Sequence, residues 1–294
     1  MNYLIAISVP LLWGSTYAAV GLYLQGMSPF WVAVWRALPA GLLLLALRPR
    51  MPPLPWAKML LLSFFNITAF FLLLFAAAYR LPGAVAGTLG ATLPLQVLLL
   101  MWLIEGKRPS LVAISSALVG LMGIVLLLNP SADIDPLGAA AALIATSFMA
   151  VSSLWIKKWP VTDLLSLTAW QLLLGGLMLL PFAYLIAGMP AMVIGESLPG
   201  LLWLILPNTA FAYWAFSRSI KVLGAETMAM LAMLNPMAAV LLGVGLLHEM
   251  LGVAQWGGIA LIIGALLLMR LTARPAMLQP SSLRPLNQPR AENI

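Results

Sequence analysis

Long apolar runs are the feature of this sequence that most limits its fold, because each run can cross a bilayer as a helix. A spanning helix needs about 20 mostly apolar residues. Only 8% of the 294 residues are charged, against roughly 25% in soluble domains. Backbone groups in lipid must be hydrogen-bonded internally, which leaves helices or closed barrels, and runs of this length are helical. The sequence predicts ten spans, at residues 3–23, 29–47, 59–79, 82–104, 109–128, 137–156, 162–187, 199–217, 224–247 and 251–270.

Lysine and arginine occupy alternate gaps between these spans. They follow the second, fourth, sixth, eighth and tenth spans, and only Arg80, in another gap, and Arg36, within a span, depart from this pattern. Positive residues favour the cytoplasmic side, so both termini are predicted to be cytoplasmic. The amino-terminal run has no basic start of the kind that precedes a cleaved signal peptide, and it is predicted to be retained as the first span.

The two halves of the chain are weakly similar to each other. The segment before and around Pro94 reads LPGAVAGTLGATLPLQ, and the segment around Pro236 reads VLGAETMAMLAMLNPMAA. Because each half holds five spans, an odd number, the second half must enter the membrane inverted. Further landmarks match in order: Gly83 with Gly224, Glu105 with Glu249, Gly120 with Gly264, and Trp35-Arg36 with Trp170-Gln171. The predicted units are residues 1–130, residues 137–270 and a disordered, proline-rich cytoplasmic tail, 271–294.

These landmarks resemble the drug/metabolite transporter superfamily, EamA type. The resemblance covers about residues 3–270 and includes LLWGSTYAAVGLYL in the first span, Arg36, the proline-containing fourth span and the glycine-spaced fifth and tenth spans. Among members, the chain is most similar to the YddG-like exporters of aromatic amino acids. The resemblance implies ten helices in two inverted five-helix repeats, cytoplasmic termini and export of metabolites through a central cavity. It also implies that the protein lies in a bacterial inner (plasma) membrane as a multi-pass protein. Gln171 departs from the pattern at the position matching Arg36, so the halves are not chemically equivalent.

A polar strip interrupts the apolar fourth span. Thr88, Thr92 and Gln96 are spaced four residues apart, so a helix places them on one face. Polar side chains at membrane depth are rare and usually face a cavity or another helix. The strip predicts one wall of the central cavity, and Gln96 is its strongest member because its amide is hard to satisfy locally. The alternative is that the threonines bond to their own backbone while neighbouring glycines allow close packing.

Prolines occupy matching positions in the fourth and ninth spans. A proline has no N–H, so the carbonyl four residues back, that of Ala232 for Pro236, loses its helical donor. Pro94 and Pro236 are predicted hinges, and Asn235 could bond either the freed carbonyl or a ligand. Met233 is a candidate lining residue because methionine is flexible and polarizable, although ordinary packing is the better explanation of a methionine alone.

Aromatic and amide side chains on other spans complete the candidate substrate-binding site. Together they suit a substrate with a flat apolar part and polar ends. Arg36 either meets a substrate carboxylate or, as we favour, bonds carbonyls within the bundle, while Glu226 is either a helix cap or a proton site. The remaining candidates are Trp13, Thr16, Tyr17, Asn66, Phe70, Tyr79, Ser147, Asn208, Tyr213 and Trp214.

The sequence best fits a secondary transporter that exports small amphipathic metabolites, most of all aromatic or other neutral amino acids, by alternating access between two inverted halves. The alternatives are an exporter of cationic toxicants or nucleobase-like compounds, and a channel, for which no repeated filter or ring of charges is visible. An enzyme is disfavoured, because the chain has one histidine, no cysteine and no paired acids at mid-membrane. We expect no catalytic residue, cofactor, metal or nucleic-acid partner. The expected partners are a small-molecule substrate and the bilayer, and a monomer suffices.

Overall fold

Helices make up the regular structure of the computed structural model, which describes residues 1–130, 134–190, 195–247 and 251–272. These ranges contain no strand. Two segments, Phe64–Ala69 and Leu206–Phe211, are π-helical, and Gly195–Ser197 is a 3-10 turn. The α-helices are α1 (Asn2–Gly14), α2 (Thr16–Tyr23), α3 (Pro29–Leu47), α4 (Trp56–Ser63), α5 (Phe70–Ala78), α6 (Gly83–Gly90), α7 (Leu93–Glu105), α8 (Leu111–Leu128), α9 (Pro136–Lys158), α10 (Leu164–Ala187), α11 (Leu198–Ile205), α12 (Ala212–Leu223), α13 (Ala225–Leu231), α14 (Leu234–Leu247) and α15 (Val253–Thr272).

Nine helical stretches in the described part of the chain are long and apolar enough to cross a membrane. They overlap nine of the ten predicted spans, so the prediction of an all-α membrane protein is confirmed. The predicted eighth span, 199–217, is not among the nine. It nevertheless lies in one unbroken helix, because α11, the second π segment and α12 follow one another without a gap. Pro199, Pro207 and Asn208 lower the hydropathy of this stretch.

Helix boundaries differ from the predicted ones by a few residues. α4 begins at Trp56 instead of residue 59. Pro55, which precedes it, has an extended backbone, and its lack of an N–H costs nothing at a position just before a helix. α15 continues through Thr272, two residues into the segment predicted as tail. The rest of the predicted tail, 273–294, and the predicted repeat landmark Glu249 lie outside the described residues.

Three of the apolar stretches are broken helices. Ser15 separates α1 from α2, Ala91–Thr92 separates α6 from α7, and Ala232–Met233 separates α13 from α14. Pro94 and Pro236 lie in the first turn of the helices that follow the second and third breaks. Because proline cannot donate a hydrogen bond to the preceding turn, each proline favours the interruption that comes just before it.

The carbonyl that Pro236 leaves without a helical donor is bonded by the backbone. The Asn235 N–H donates to the Ala232 carbonyl O at 3.0 Å, three residues apart, in the tighter pattern of a 3-10 turn. Before Pro94, the Thr92 N–H donates to the Leu89 carbonyl O at 3.1 Å, so a turn of the same 3-10 type lies at that break, although the carbonyl it bonds is not the one that Pro94 frees. The Asn235 side chain is therefore not required for the freed carbonyl, which was one of its two predicted roles.

Both π segments carry a buried asparagine at their third position. Asn66 occupies it in Phe64–Ala69 and Asn208 in Leu206–Phe211, and both side chains are fully buried. A π turn holds one more residue than an α turn, so the helix widens locally and the side chains beyond it change face. Each segment thus brings a polar amide into the interior of the bundle.

The most extensive helix packing among the described elements joins α3 to α10 and α8 to α15. Glycines lie at the points of closest approach. A Cβ on Gly41 would lie 2.6 Å from the backbone N of Leu173, and a Cβ on Gly258 would lie 2.5 Å from the carbonyl O of Gly123. Membrane helices pack closely through such small residues, so these glycines hold the helices of each pair together. Arg36 lies on α3, so the contact of α3 with α10 also sets its position.

Candidate substrate-binding site

Arg36 joins α3 to the π segment that precedes α12. Its side chain is buried, and its Nε donates to Thr209 Oγ1 at 2.8 Å. Its Nη2 donates to Asn208 Oδ1 at 2.5 Å and more weakly to the Asn208 carbonyl O at 3.3 Å. The guanidinium carbon also lies 5.4 Å from the centre of the Phe71 ring. These contacts support the structural role favoured for Arg36, because its donors are directed at a neighbouring helix.

Asn208 extends this hydrogen-bond network to the break in the first predicted span. Its Nδ2 donates to the Leu12 carbonyl O at 2.5 Å, and Thr16 Oγ1 donates to Asn208 Oδ1 at 3.2 Å. Trp203 Nε1, one helix segment earlier, donates to Ser15 Oγ at 2.8 Å. Polar side chains of the stretch Leu198–Leu223 therefore hold the junction of α1 and α2, where the regular helix is interrupted.

A second pair of polar side chains surrounds the first π segment. Asn66 Nδ2 donates to Gln171 Oε1 on α10 at 2.9 Å. Thr68 Oγ1 donates to the Gly175 carbonyl O, also on α10, at 2.9 Å. Within the described residues, Asn66 Oδ1 and Gln171 Nε2 are buried without a hydrogen-bond partner. This pair is therefore only partly satisfied.

The Arg36–Asn208 and Asn66–Gln171 contacts, which we call the matched pairs, occupy corresponding places in the sequence. The spacing from Asn66 to Asn208 equals the spacing between the two predicted hinge prolines, and Gln171 stands where the first half has Arg36. Sequence reasoning named all four side chains but did not pair them, because each contact joins residues more than 100 positions apart. The available signal was the matched asparagines. The two pairs occupy matching positions in the two halves, but only the first contains a charged side chain, that of Arg36.

Trp13 stands at the centre of an aromatic cluster. Its ring centroid lies 5.3 Å from that of Tyr213 and 5.2 Å from that of Phe216, and the latter two side chains are buried. The Trp13 Nε1–H is also buried and has no hydrogen-bond partner among the described residues. Burying an unpaired donor is unfavourable, so an acceptor atom on a ligand would gain from meeting it. Thr16 lies about one turn further along the same span, and its hydroxyl donates a hydrogen bond to Asn208.

The polar strip of the fourth predicted span is largely bonded within the protein. Thr88 and Thr92 each donate to a backbone carbonyl of α6, those of Ala84 and Leu89, at 2.9 and 2.6 Å. Gln96 Nε2 donates to Thr92 Oγ1 at 3.0 Å, and Ser147 Oγ donates to Gln96 Oε1 at 3.0 Å. The threonine hydroxyls thus follow the backbone-bonding alternative, and the Gln96 amide does find local partners. All four side chains remain partly exposed.

In the ninth predicted span, Asn235 is a better candidate for contact with a ligand than Met233. Met233 is 1% exposed, and a Cβ on Gly120 would lie 2.4 Å from its Sδ, so this side chain fills the contact between two helices. Asn235 is partly exposed, and its Oδ1 lacks a partner within the described chain. The Asn235 carbonyl O approaches Gly14, where a Cβ would lie only 2.6 Å away. Its backbone therefore packs on the first span while its amide oxygen is buried without a hydrogen-bond partner.

The remaining candidates lie elsewhere in the bundle. Tyr17 and Tyr79 are each 65% exposed, and Tyr79 stacks on Phe30 at 6.0 Å. Phe70 packs between two apolar clusters. Trp214 follows Tyr213 in sequence but points to a different side of α12, towards a cavity beside Arg218. The described residues include no group of three or more histidine, aspartate or glutamate side chains placed to hold a metal.

One family profile matches nearly the whole of the apolar part of the chain. The EamA-like transporter family matches residues 1–129 and, separately, residues 136–271. The chain belongs to the EamA-like transporter family. This confirms the resemblance drawn from the sequence at the level of the family, and it makes this protein a multi-pass membrane transporter of the drug/metabolite type.

Relatives of this EamA-like transporter match it over most of their own length. PecM of Dickeya dadantii (strain 3937) is 36% identical over 270 residues, covering 90% of this chain and 91% of PecM. YedA of Escherichia coli (strain K12), named an uncharacterized inner membrane transporter, is 30% identical over 272 residues, covering 89% and 88%. A solved crystal structure of a protein has a TM-score of 0.80 at 21% identity, over 93% of this chain and 98% of that chain. That last likeness shows the fold alone.

Proposed function

We propose that this EamA-like transporter is a secondary transporter that exports small amphipathic metabolites, most of all aromatic or other neutral amino acids. The observation that carries the proposal is the aromatic cluster around Trp13, which lies beside the hydroxyl of Thr16 and the amide of Asn208. Aromatic side chains bind a flat apolar group, and a few polar groups bind the ends of the substrate. The unpaired indole N–H of Trp13 would donate to the substrate carboxylate.

We also propose ten spans arranged as two inverted five-helix repeats, with the helix Leu198–Leu223 as the eighth. The family profile matches residues 1–129 and 136–271 separately, which supports a duplicated unit. The π segments and the breaks before Pro94 and Pro236 recur at matching places in the two parts. Five spans per part make the second part inverted, and a central cavity lies between the two.

The proposed orientation places both termini in the cytoplasm of a bacterial cell, with the protein in the inner membrane. Its support is the alternation of lysine and arginine between the spans. Arg80, the exception among the gaps, has Asp135 at 3.7 Å, so its charge is partly balanced by an acid in the next gap on the same side. YedA carries the words inner membrane in its name.

Alternating access would rock the two halves about Pro94 and Pro236. Both prolines follow a break where the helix has already lost regular hydrogen bonds, so bending there disrupts few further bonds. The matched pairs tie one half to the other at each π segment, and they limit how far the halves separate during a cycle. One chain contains both halves, so we propose that a monomer is the transporting unit.

Arg36 bears on which substrates are accepted. Its charge is buried, and no carboxylate lies within 4.0 Å of it in the described chain. A positive charge at low dielectric strongly repels a second one, so cationic toxicants are disfavoured relative to zwitterions. Nucleobase-like compounds would fit an aromatic wall, but they lack the carboxylate that the Trp13 indole N–H is proposed to meet.

Flux into proteoliposomes tests the proposed function. Vesicles containing the purified protein should take up radiolabelled phenylalanine or tryptophan faster than empty vesicles, and faster than they take up the matching decarboxylated amines. Trp13→Leu should reduce this uptake at least tenfold. Trp102→Leu, which changes an exposed tryptophan on α7, is the matched control and should retain it. The proposal fails if no amino acid or other amphipathic metabolite moves, or if both variants behave alike.

A further inference from the structure

A cavity of about 400 Å³ lies where the end of α3 meets the start of α10 and the first two turns of α12. Its wall includes two arginines, an acid, a leucine and a tryptophan: Arg48, Arg218, Asp163, Leu165 and Trp214. Of the predicted substrate-binding residues, only Trp214 lines it. The cavity is therefore separate from the cluster around Trp13, and it sits at the ends of the spans where positive charge collects.

The wall of this cavity carries an excess positive charge. Arg48 Nε donates to Asp163 Oδ2 at 2.9 Å, so these two charges balance. Arg218 Nη1 donates to Asn2 Oδ1 at 3.2 Å, and among the described residues no carboxylate lies within 4.0 Å of Arg218. A guanidinium has five N–H donors, and these contacts use one on each arginine. Arginine forks of this kind match the oxygens of a phosphate group.

An apolar groove of about 210 Å³ continues from the cavity along α3. Leu165 and Trp214 line both spaces, so the two join at these residues. The floor of the groove is closed, because Leu44 and Ala210 are 5% and 4% exposed, while its rim is open at Leu47, which is 66% exposed. A ligand in both spaces would have a charged end at the arginines and a hydrocarbon part that faces lipid.

We propose that the cavity and the groove together bind one anionic phospholipid, with its phosphodiester on Arg218 and Arg48 and one acyl chain over Ala210. The proposal uses the orientation given above, in which these helix ends face the cytoplasm, and it is independent of the substrate. Basic side chains at that surface attract anionic lipids of the cytoplasmic leaflet. Trp214, at the junction of head and tail, is the residue type enriched at the membrane interface.

Charge and shape together favour this occupant over the others available. A free amino acid has no chain to fill the groove, and a zwitterionic phospholipid does not match the excess positive charge. Residues 273–294 of the same chain contain Arg274, Arg284 and Arg290 against a single acidic side chain, Glu292, so a basic wall repels that segment. An anionic phospholipid satisfies both the arginines and the groove.

Native mass spectrometry of the delipidated, full-length protein tests the proposal. Phosphatidylglycerol should bind about tenfold more tightly than phosphatidylcholine with the same acyl chains. One arginine near an anionic lipid is worth about fivefold in affinity, so Arg218→Gln should lose about that factor. Asp163→Asn, which removes the one acid among the described residues of the wall, should gain affinity. Arg108→Gln removes an exposed charge of the same predicted face outside the cavity and should change affinity less than twofold.

Fluorescence locates the bound lipid independently of any loss of stability in the arginine variants. Phosphatidylglycerol with brominated acyl chains should quench the wild type more than Trp214→Phe, because the acyl chain passes Trp214. Equal binding of the two lipids, equal losses in Arg218→Gln and Arg108→Gln, or equal quenching with and without Trp214 would each overturn the proposal. Displacement of the lipid by glycerol phosphate at comparable concentration would also overturn it, since the site would then recognise a free anion.

Discussion

Replacing Arg36 by glutamine gives the first matched pair the chemistry of the second. Gln171 accepts a hydrogen bond from Asn66 at 2.9 Å, which shows that an amide pair can join a π segment to the neighbouring helix. A glutamine at position 36 would act as the donor instead, because the two N–H groups of its amide can bond Asn208 Oδ1 and Thr209 Oγ1, the atoms that accept from Arg36. Arg36→Ala, in contrast, removes every polar contact of this side chain.

The expected loss of stability follows from the contacts that each variant breaks. Arg36→Ala removes the donors at 2.8 Å to Thr209 and 2.5 Å to Asn208. Asn208 Oδ1 keeps Thr16 as a donor at 3.2 Å, whereas Thr209 Oγ1 loses its donor, and an unpaired buried acceptor costs about 1–3 kcal/mol. Both variants remove the buried charge, so its desolvation cancels between them. With the larger cavity left by alanine, Arg36→Ala should be less stable than Arg36→Gln by about 2–3 kcal/mol.

Thermal unfolding of the purified protein in lipid nanodiscs measures this difference. At roughly 2 °C per kcal/mol for a chain of this size, Arg36→Ala should melt about 5 °C below Arg36→Gln. Gln171→Ala is the matched control in the other half and should also lower the melting temperature. If Arg36→Gln melts at or below Arg36→Ala, the glutamine has not replaced the pairing, and the equivalence of the matched pairs is wrong.

Three further predictions test other parts of the bundle. Burial raises the pKa of Asp163, but hydrogen bonds, above all from Arg48, outweigh it and hold the pKa below the ordinary 3.8. The ionised pair therefore stabilises the fold above about pH 4 and is lost as the pH falls through the lowered pKa. Asp163→Asn should be less stable than wild type at pH 7 by up to about 1 kcal/mol in the free energy of unfolding. In acid, the melting temperatures of the two proteins should become equal. Gly258→Ala should destabilise by about 1–3 kcal/mol in the same melting assay, whereas Gly257→Ala, where a Cβ meets nothing within 4 Å, should not. Gln96→Ala should lower amino acid flux in proteoliposomes, and unchanged flux would show that the polar strip does not meet substrate.

Local signals in the sequence were sufficient to predict most helices and two of the three breaks. A long apolar run in lipid must satisfy its own backbone, and Pro94 and Pro236 remove a helical donor in any surroundings. The break at Ser15 and the π segments were not predicted. They depend on contacts between helices, such as the hydrogen bond from Asn208 to the Leu12 carbonyl, which no short stretch of sequence contains.

The candidate site was predicted in part. Trp13, Thr16, Asn208 and Tyr213 were named from residue type and depth, and the structure brings them together. Met233 was named on the same grounds, yet it packs inside a helix contact. The difference lies in the rotation of each helix about its axis, which is set by packing and not by hydropathy. The helix that carries each residue was therefore predictable, but the direction of its side chain was not.

The matched π segments bear on the history of the chain. Under the proposed duplication, one insertion before the duplication explains a widened turn with a buried asparagine in both halves. The partner of Asn66 is Gln171, in the other half, so a single ancestral unit could not have satisfied its own asparagine. The ancestor would have acted as an antiparallel pair of identical subunits. Only after the unit was duplicated could one position become Arg36 while its counterpart became Gln171, because only then could each change alone.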